Sequence, residues 1–97
     1  MRAPVVTVGH RFRGICRQCR MEVEGTMVEG EAGRTIEGKE ICVTGSRGVG
    51  DCGHECISIG RSEVWRINGK PVARVGDPVT DGIDGELITG WDFVQAE

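Results

Sequence analysis

Two short clusters of cysteine and histidine are the residues of this sequence best suited to chemistry. The first is a Cys-x-x-Cys pair, Cys16 and Cys19, and the second is the run Cys52-Gly53-His54-Glu55-Cys56. A Cys-x-x-Cys turn presents two thiolates at a spacing suited to a tetrahedral ion, and the second pair of ligands must come from elsewhere. The sequence therefore predicts a metal site made by Cys16, Cys19, Cys52 and either Cys56 or His54. The Cys-x3-Cys spacing favours Cys56, since only one residue separates Cys52 from His54 and the two side chains would have to reach the ion over a shorter stretch of chain.

The ion and the alternatives to a metal follow from the same residues. A structural zinc ion is the first interpretation, and iron is the alternative that a sequence separates poorly from zinc. Disulfides and free thiols are the other interpretations, and synthesis in the cytosol disfavours disulfides. A thioredoxin-like redox role requires a βαβ unit, which this chain does not indicate. The fifth cysteine, Cys42, lies between Ile41 and Val43 in a predicted strand, where we expect a small buried apolar residue.

Several classes of function are disfavoured by composition and motif content. No Ser-His-Asp set, paired-carboxylate site or phosphate loop can be built, so we expect no enzyme. The net charge is −3 with mixed signs, so we expect no nucleic-acid partner. The basic run Arg11, Arg13, Arg17 and Arg20 is assigned to solvated loop residues beside the metal loops.

The chain is expected to be one domain, residues 1–97, made in the cytoplasm. No apolar stretch approaches the ~20 residues of a membrane helix, and no signal peptide is visible. Sixteen glycines are spread along the 97 residues. Because an interior glycine costs a helix roughly 1 kcal/mol, we expect little or no helix and an all-β fold of short strands.

An internal repeat organises these strands. The segment from Ile36 to Ser46 aligns with the segment from Ile67 to Asp77 at a shift of 31 residues, and residues 4–10 align with residues 71–77. Such a repeat predicts three copies of one unit. We expect Val5-Val8, Ile41-Val43 and Val72-Val75 in equivalent places of a three-sided cone with a pseudo-threefold axis. The two thiol-bearing loops would then share one end, and His10, aligned with Asp77, is expected in a turn.

The third repeat carries the lettering of a known family. Asn68-Gly69-Lys70-Pro71-Val72-Ala73-Arg74-Val75-Gly76-Asp77 resembles the "NGKPAARVGD" motif of the PAAR-repeat proteins. The upstream pattern, Ile57-Ser58-Ile59-Gly60 followed by Val64-Trp65-Arg66-Ile67, is similar to that family's strand-and-glycine pattern. The resemblance covers residues 52–94, and it reaches residues 1–50 only through the internal repeat.

The resemblance implies a fold, a partner and a location. PAAR proteins are small cones of three β-units that cap and sharpen a trimeric β-helical spike for envelope piercing. One chain caps one trimer, which is VgrG-like in a type VI secretion system or the central spike of a contractile phage tail. A structural metal, usually zinc, sits at the point of the cone. The protein would be delivered outside the cell at that tip, where it makes transient contact with the target envelope.

The metal ligands of PAAR proteins are mostly histidines, whereas this chain offers mostly cysteines. The ligand set predicted above therefore rests on the positions of the two thiol-bearing loops and not on the resemblance.

Two rival functions use the same cysteines. A free-standing zinc-binding adaptor or regulatory module is the alternative function, and it explains the cysteines without the repeat. A rubredoxin-like electron carrier explains the thiols alone.

Overall fold

The computed structural model describes residues 2–97, which form twelve β-strands and no helix. The all-β prediction is therefore confirmed. No helix among these residues is long and apolar enough to cross a membrane. The strands are β1 (Ala3–Val5), β2 (Arg11–Cys16), β3 (Met21–Met27), β4 (Glu31–Ile36), β5 (Lys39–Ile41), β6 (Arg47–Gly50), β7 (Glu55–Ser58), β8 (Arg66–Ile67), β9 (Lys70–Pro71), β10 (Pro78–Thr80), β11 (Ile83–Leu87) and β12 (Trp91–Ala96).

Six of these strands form a closed barrel in the order β10-β11-β2-β3-β6-β7. All neighbouring strands are antiparallel, and the barrel consists of three hairpins, β2–β3, β6–β7 and β10–β11. The three hairpin turns, residues 17–20, 51–54 and 81–82, therefore lie at one end. We call this end the tip and the opposite end the base.

The first barrel strand corrects the interpretation of Arg11 and Arg13 as loop residues, whereas Arg17 and Arg20 do lie in the turn that follows it. Along β2, Phe12, Gly14 and Cys16 are buried, whereas Arg13 and Ile15 are exposed. This alternation of period two is that of a strand with one face in a core. Two glycines make room for the largest side chain: a Cβ on Gly48 would lie 2.8 Å from the Phe12 ring, and a Cβ on Gly25 would also collide with it. A narrow barrel thus accommodates one phenylalanine opposite glycines.

Three short segments close the barrel at the base through hydrogen bonds that run in a cycle. The Val6 N–H donates to the Ala73 carbonyl (3.1 Å), the Ala73 N–H to the Cys42 carbonyl (2.9 Å), and the Cys42 N–H to the Val6 carbonyl (2.9 Å). We call these three residues the floor. They are aligned positions of the three sequence repeats. The segments pair through isolated bridges, and not as the longer strands that the sequence predicts.

The floor separates two apolar cores. Its residues pack with the barrel interior, which includes Phe12, Met27 and Leu87. The residue before each floor residue packs into a second cluster at the base. These preceding residues are Val5, Ile41 and Val72. Successive residues of an extended segment point to opposite sides, so each segment serves both cores.

Three two-stranded ribbons, β4–β5, β8–β9 and β1–β12, form the base. The turns Glu37-Gly38 and Asn68-Gly69 have positive φ at both residues, 52° and 78° in the first and 53° and 81° in the second. Hairpin turns of this kind favour Asn-Gly, as expected from the sequence. The third ribbon has no turn, because β1 and β12 come from opposite ends of the chain.

The barrel core can be tested with the two phenylalanines. Phe12 is fully buried, whereas Phe93 is 69% exposed. Phe12→Ala should lower the free energy of unfolding by about 3–5 kcal/mol, because it leaves a cavity between strands. Phe93→Ala, the matched control, should change it by less than about 0.5 kcal/mol. Denaturant unfolding of both variants measures the difference, and equal effects would contradict the assigned core.

Candidate metal centre

Four side chains from two hairpin turns converge at the tip. Cys16 ends β2, Cys19 lies in the turn to β3, and Cys52 and His54 lie in the turn between β6 and β7. One ligand atom of each residue lies within 4.8 Å of those of the other three. Cys16 is buried and the other three are partly buried. The two cysteine-bearing loops therefore meet at one end of the fold.

The turn after β2 places two thiols on the same side. The Arg20 N–H donates to the Cys16 carbonyl (2.8 Å), and Arg20 has a φ of 55°. The Cys19 N–H points to the Cys16 sulfur at 3.5 Å. This backbone N–H stabilises a thiolate on Cys16, so the turn prepares one sulfur for a cation.

The second turn brings in a thiol and an imidazole. The Gly53 N–H donates to the Gly50 carbonyl and the Gly50 N–H to the His54 carbonyl, both at 2.8 Å. Gly53 has a φ of 89°, which an L side chain adopts rarely. His54 Nδ1 lies 3.3 Å from the Cys16 sulfur and 3.4 Å from the Cys19 sulfur. The Nδ1 atom is therefore the ring nitrogen that faces the thiols.

These distances fit a tetrahedral ion. Zinc bonds of about 2.3 Å to sulfur and 2.0–2.1 Å to nitrogen place the two ligand atoms roughly 3.5 Å apart at a tetrahedral angle. The measured sulfur–nitrogen distances of 3.3 and 3.4 Å lie close to that value. Three thiols and one imidazole are a donor set that structural zinc sites use. The four side chains thus form a potential metal-binding site compatible with zinc.

The two thiols of the first turn differ in acidity. The pKa of Cys16 is lowered to about 7, chiefly by the hydrogen bond from the Cys19 backbone. The pKa of Cys19 is raised to about 11, chiefly by its hydrogen bond with Cys16. One thiolate therefore forms readily, and the second proton leaves when a cation takes its place.

The structure places Cys56 outside this cluster, so the geometry does not support the preference for Cys56 over His54. Cys56 is buried in β7 and packs in the barrel core. Burial raises the pKa of its thiol to about 11. Two residues of strand carry the chain roughly 6.8 Å from His54 towards the base. The turn ends at His54, so the His54 imidazole lies with the other three candidate ligand atoms and the Cys56 thiol does not.

Cys42 lies at the other end of the barrel, in the floor. Its side chain is fully buried, and its sulfur points to the Glu29 carbonyl at 3.5 Å. Burial raises the pKa of the thiol to about 12. Cys42 thus behaves as the small buried apolar residue expected from the sequence.

Arginines hold the metal loops against the rest of the tip. The Arg17 guanidinium donates hydrogen bonds to both carboxylate oxygens of Asp84 at 2.8 Å. The backbone N–H of Arg17 donates to the Gly82 carbonyl at 2.9 Å. Arg11 makes a 2.9 Å ion pair with Asp51, beside Cys52. Arg17 lowers the pKa of Asp84. Sequence reasoning missed these pairs, because the partners are distant along the chain.

Comparisons with known proteins give no assignment. The chain matches no protein-family model, no curated protein and no solved structure.

Ligand substitution separates His54 from Cys56 as the fourth ligand. His54→Ala and Cys16→Ser should each reduce bound zinc to well below one ion per chain, because each removes one of four donors. Cys56→Ser, the matched control in the next strand, should retain one ion. Elemental analysis of protein purified with zinc measures the content. A Cys56→Ser protein without zinc beside a zinc-loaded His54→Ala protein would reverse the assignment.

Removing the metal should destabilise the whole domain. At a free zinc concentration of a hundred times Kd, binding contributes about 2.7 kcal/mol to the folded state. In a domain of this size that corresponds to roughly 10–20 °C in the melting temperature. Thermal unfolding with and without a chelator measures the shift. A metal-free protein that melts at the temperature of the zinc-loaded protein would contradict a structural role.

Proposed function

We propose that this chain is the metal-stabilised tip of a trimeric β-helical spike, in a type VI secretion system or a contractile phage tail. The observation that carries the proposal is the cycle of hydrogen bonds between Val6, Cys42 and Ala73. A cycle of three equivalent bonds gives one chain three similar sides, as a threefold partner requires.

The polarity of the fold supports the same role. The four ligands lie at the tip, whereas the three ribbons lie at the base. A metal at the tip would hold two hairpins together, and small domains gain stability from such a link. The base is then the face that meets the spike, and the tip is the face that meets the target envelope.

The base also presents apolar side chains in related segments. Residues 92–94 of β12 and residues 32–34 of β4 form bulges at corresponding places of their ribbons. Phe93 lies in the first bulge and is 69% exposed, and Val64, in the corresponding segment before β8, is 71% exposed. Large exposed apolar residues are the anchors that protein interfaces use. They give the base two contacts with the partner.

The PAAR resemblance supports the proposal through the residues that carry it. Asn68 and Gly69 form the tight turn of the β8–β9 ribbon. Asp77 accepts a hydrogen bond from the Arg74 N–H at 2.8 Å and pairs with the Arg74 side chain. The motif residues thus have structural tasks in the base ribbon and in the turn that follows it. No catalytic turnover and no nucleic acid enter this role.

Binding to a spike trimer tests the proposal. The chain is mixed with a trimeric β-helical spike protein of a type VI secretion system or a contractile phage tail, and light scattering measures the mass of the complex. One chain per trimer is expected. Three chains per trimer, or a stable free monomer with no affinity for the trimer, would contradict the proposal, and the second outcome would favour a free-standing zinc adaptor.

Charged substitutions locate the docking face. Phe93→Arg and Val64→Arg should each weaken docking at least about tenfold, because each buries a charge at the joint. Ile15→Arg is the matched control, since Ile15 is 51% exposed but lies at the tip. It should leave the affinity unchanged. Loss of docking with Ile15→Arg alone would place the partner at the tip and would contradict docking at the base.

A further inference from the structure

The three repeats close the same turn with three different side chains. In each turn the backbone N–H of the first residue donates a hydrogen bond to the side chain of the residue three positions later. Thr7 donates to His10 Nδ1 (3.1 Å), Val43 to Ser46 Oγ (2.9 Å), and Arg74 to Asp77 Oδ2 (2.8 Å). We call these turns the three corners. Only the first corner has an imidazole as its acceptor.

The hydrogen bonds of the first corner fix the proton on the other ring nitrogen. Nδ1 accepts from the Thr7 N–H and lies 3.2 Å from Thr7 Oγ1. Trp91 Nε1 donates to the same hydroxyl at 2.9 Å, and its ring meets the His10 ring edge-on, with centroids 5.2 Å apart. A histidine that accepts at Nδ1 is neutral and carries its proton on Nε2.

Protonation removes the acceptor. An imidazolium donates from both nitrogens, whereas a serine hydroxyl and a protonated carboxyl both keep an acceptor oxygen. Thr7 is fully buried, so its N–H would be left without a partner away from water. Of the three corners, the first alone therefore opens when its side chain gains a proton.

The surroundings of His10 act in the same direction. Burial, the largest cause, and the Lys39 ammonium of β5 both lower the pKa of His10. The hydrogen bond that the Thr7 N–H donates to Nδ1 favours the neutral ring as well. Of the other packed elements, β12 contributes the Trp91 ring, and β3 contributes the Met27 N–H, which donates to the His10 carbonyl.

We propose that the first corner is an acid-sensitive latch that holds β12 against the segment after β1. Protonation of His10 releases Thr7, and with it the Trp91 hydrogen bond to Thr7 Oγ1. The ribbon β1–β12 then loosens, while the Ser46 and Asp77 corners stay closed. This inference stands on the corner geometry and does not depend on the proposed function.

The sign and size of the effect follow from linkage. The closed corner requires neutral His10, whereas the open corner binds a proton with the ordinary pKa of about 6.5. The closed state is therefore favoured above pH 6.5 and loses stability as the pH falls below it. At pH 5.5 the ratio of open to closed corner should rise by up to about tenfold over its value at pH 7.5.

Amide hydrogen exchange tests the latch with controls inside the same chain. Protection factors of the Thr7, Val43 and Arg74 amides are measured at pH 7.5 and pH 5.5 on the zinc-loaded protein. The Thr7 value should fall about five- to tenfold relative to the other two. His10→Ser and His10→Asp copy the other corners, and either variant should abolish the relative fall. Nitrogen chemical shifts of His10 should show an unprotonated Nδ1 at pH 7.5.

Three outcomes would overturn the inference. One is an equal fall at all three amides, which is what acid unfolding or zinc loss produces. Another is a relative fall at Thr7 that persists in both variants. The third is a protonated Nδ1 at pH 7.5.

Discussion

The cycle of hydrogen bonds in the floor is the constraint on which the other elements depend. Each segment that contributes Val6, Cys42 or Ala73 follows a strand of a base ribbon and is bonded at the floor to the other two segments. The floor closes the barrel core on one side and the base core on the other. Because both cores share it, loss of one segment exposes apolar residues on two sides. The domain should therefore fold as one cooperative unit.

The potential metal-binding site lies at the opposite end of the barrel from the floor. A chain of 97 residues buries a small core, and such domains gain from a disulfide, a metal or a partner. At the tip the barrel strands end, and the buried Cys16 pairs with Ile83 beside the other candidate ligands. An ion there would tie the β2–β3 hairpin to the β6–β7 hairpin, while Arg17 and Asp84 tie the third hairpin to the first. The tip would then add polar and metal bonds to its apolar packing.

The sequence predicted the all-β class and the Asn68-Gly69 turn, and it did not predict strand β2. The glycine alignment identified the three floor segments, and Asn68-Gly69 identified a hairpin turn, since both signals are local. Strand β2 was taken for loop because its outward arginines hide the alternation around Phe12. His54 was ranked below Cys56 because sequence spacing does not show where a turn ends and a strand begins.

The four candidate metal ligands lie in loops at which the three sequence repeats differ. In a homotrimer every substitution occurs three times, so a cysteine ligand placed near the axis would bring two copies with it. A single chain with three units escapes this constraint. It can place Cys16 and Cys19 in one hairpin, Cys52 and His54 in the next, and no ligand in the third. Four donors are the number a tetrahedral ion requires, and three identical units cannot supply four. Joining the units in one chain thus allows the three hairpins to carry different side chains at the tip, as the four candidate ligands do.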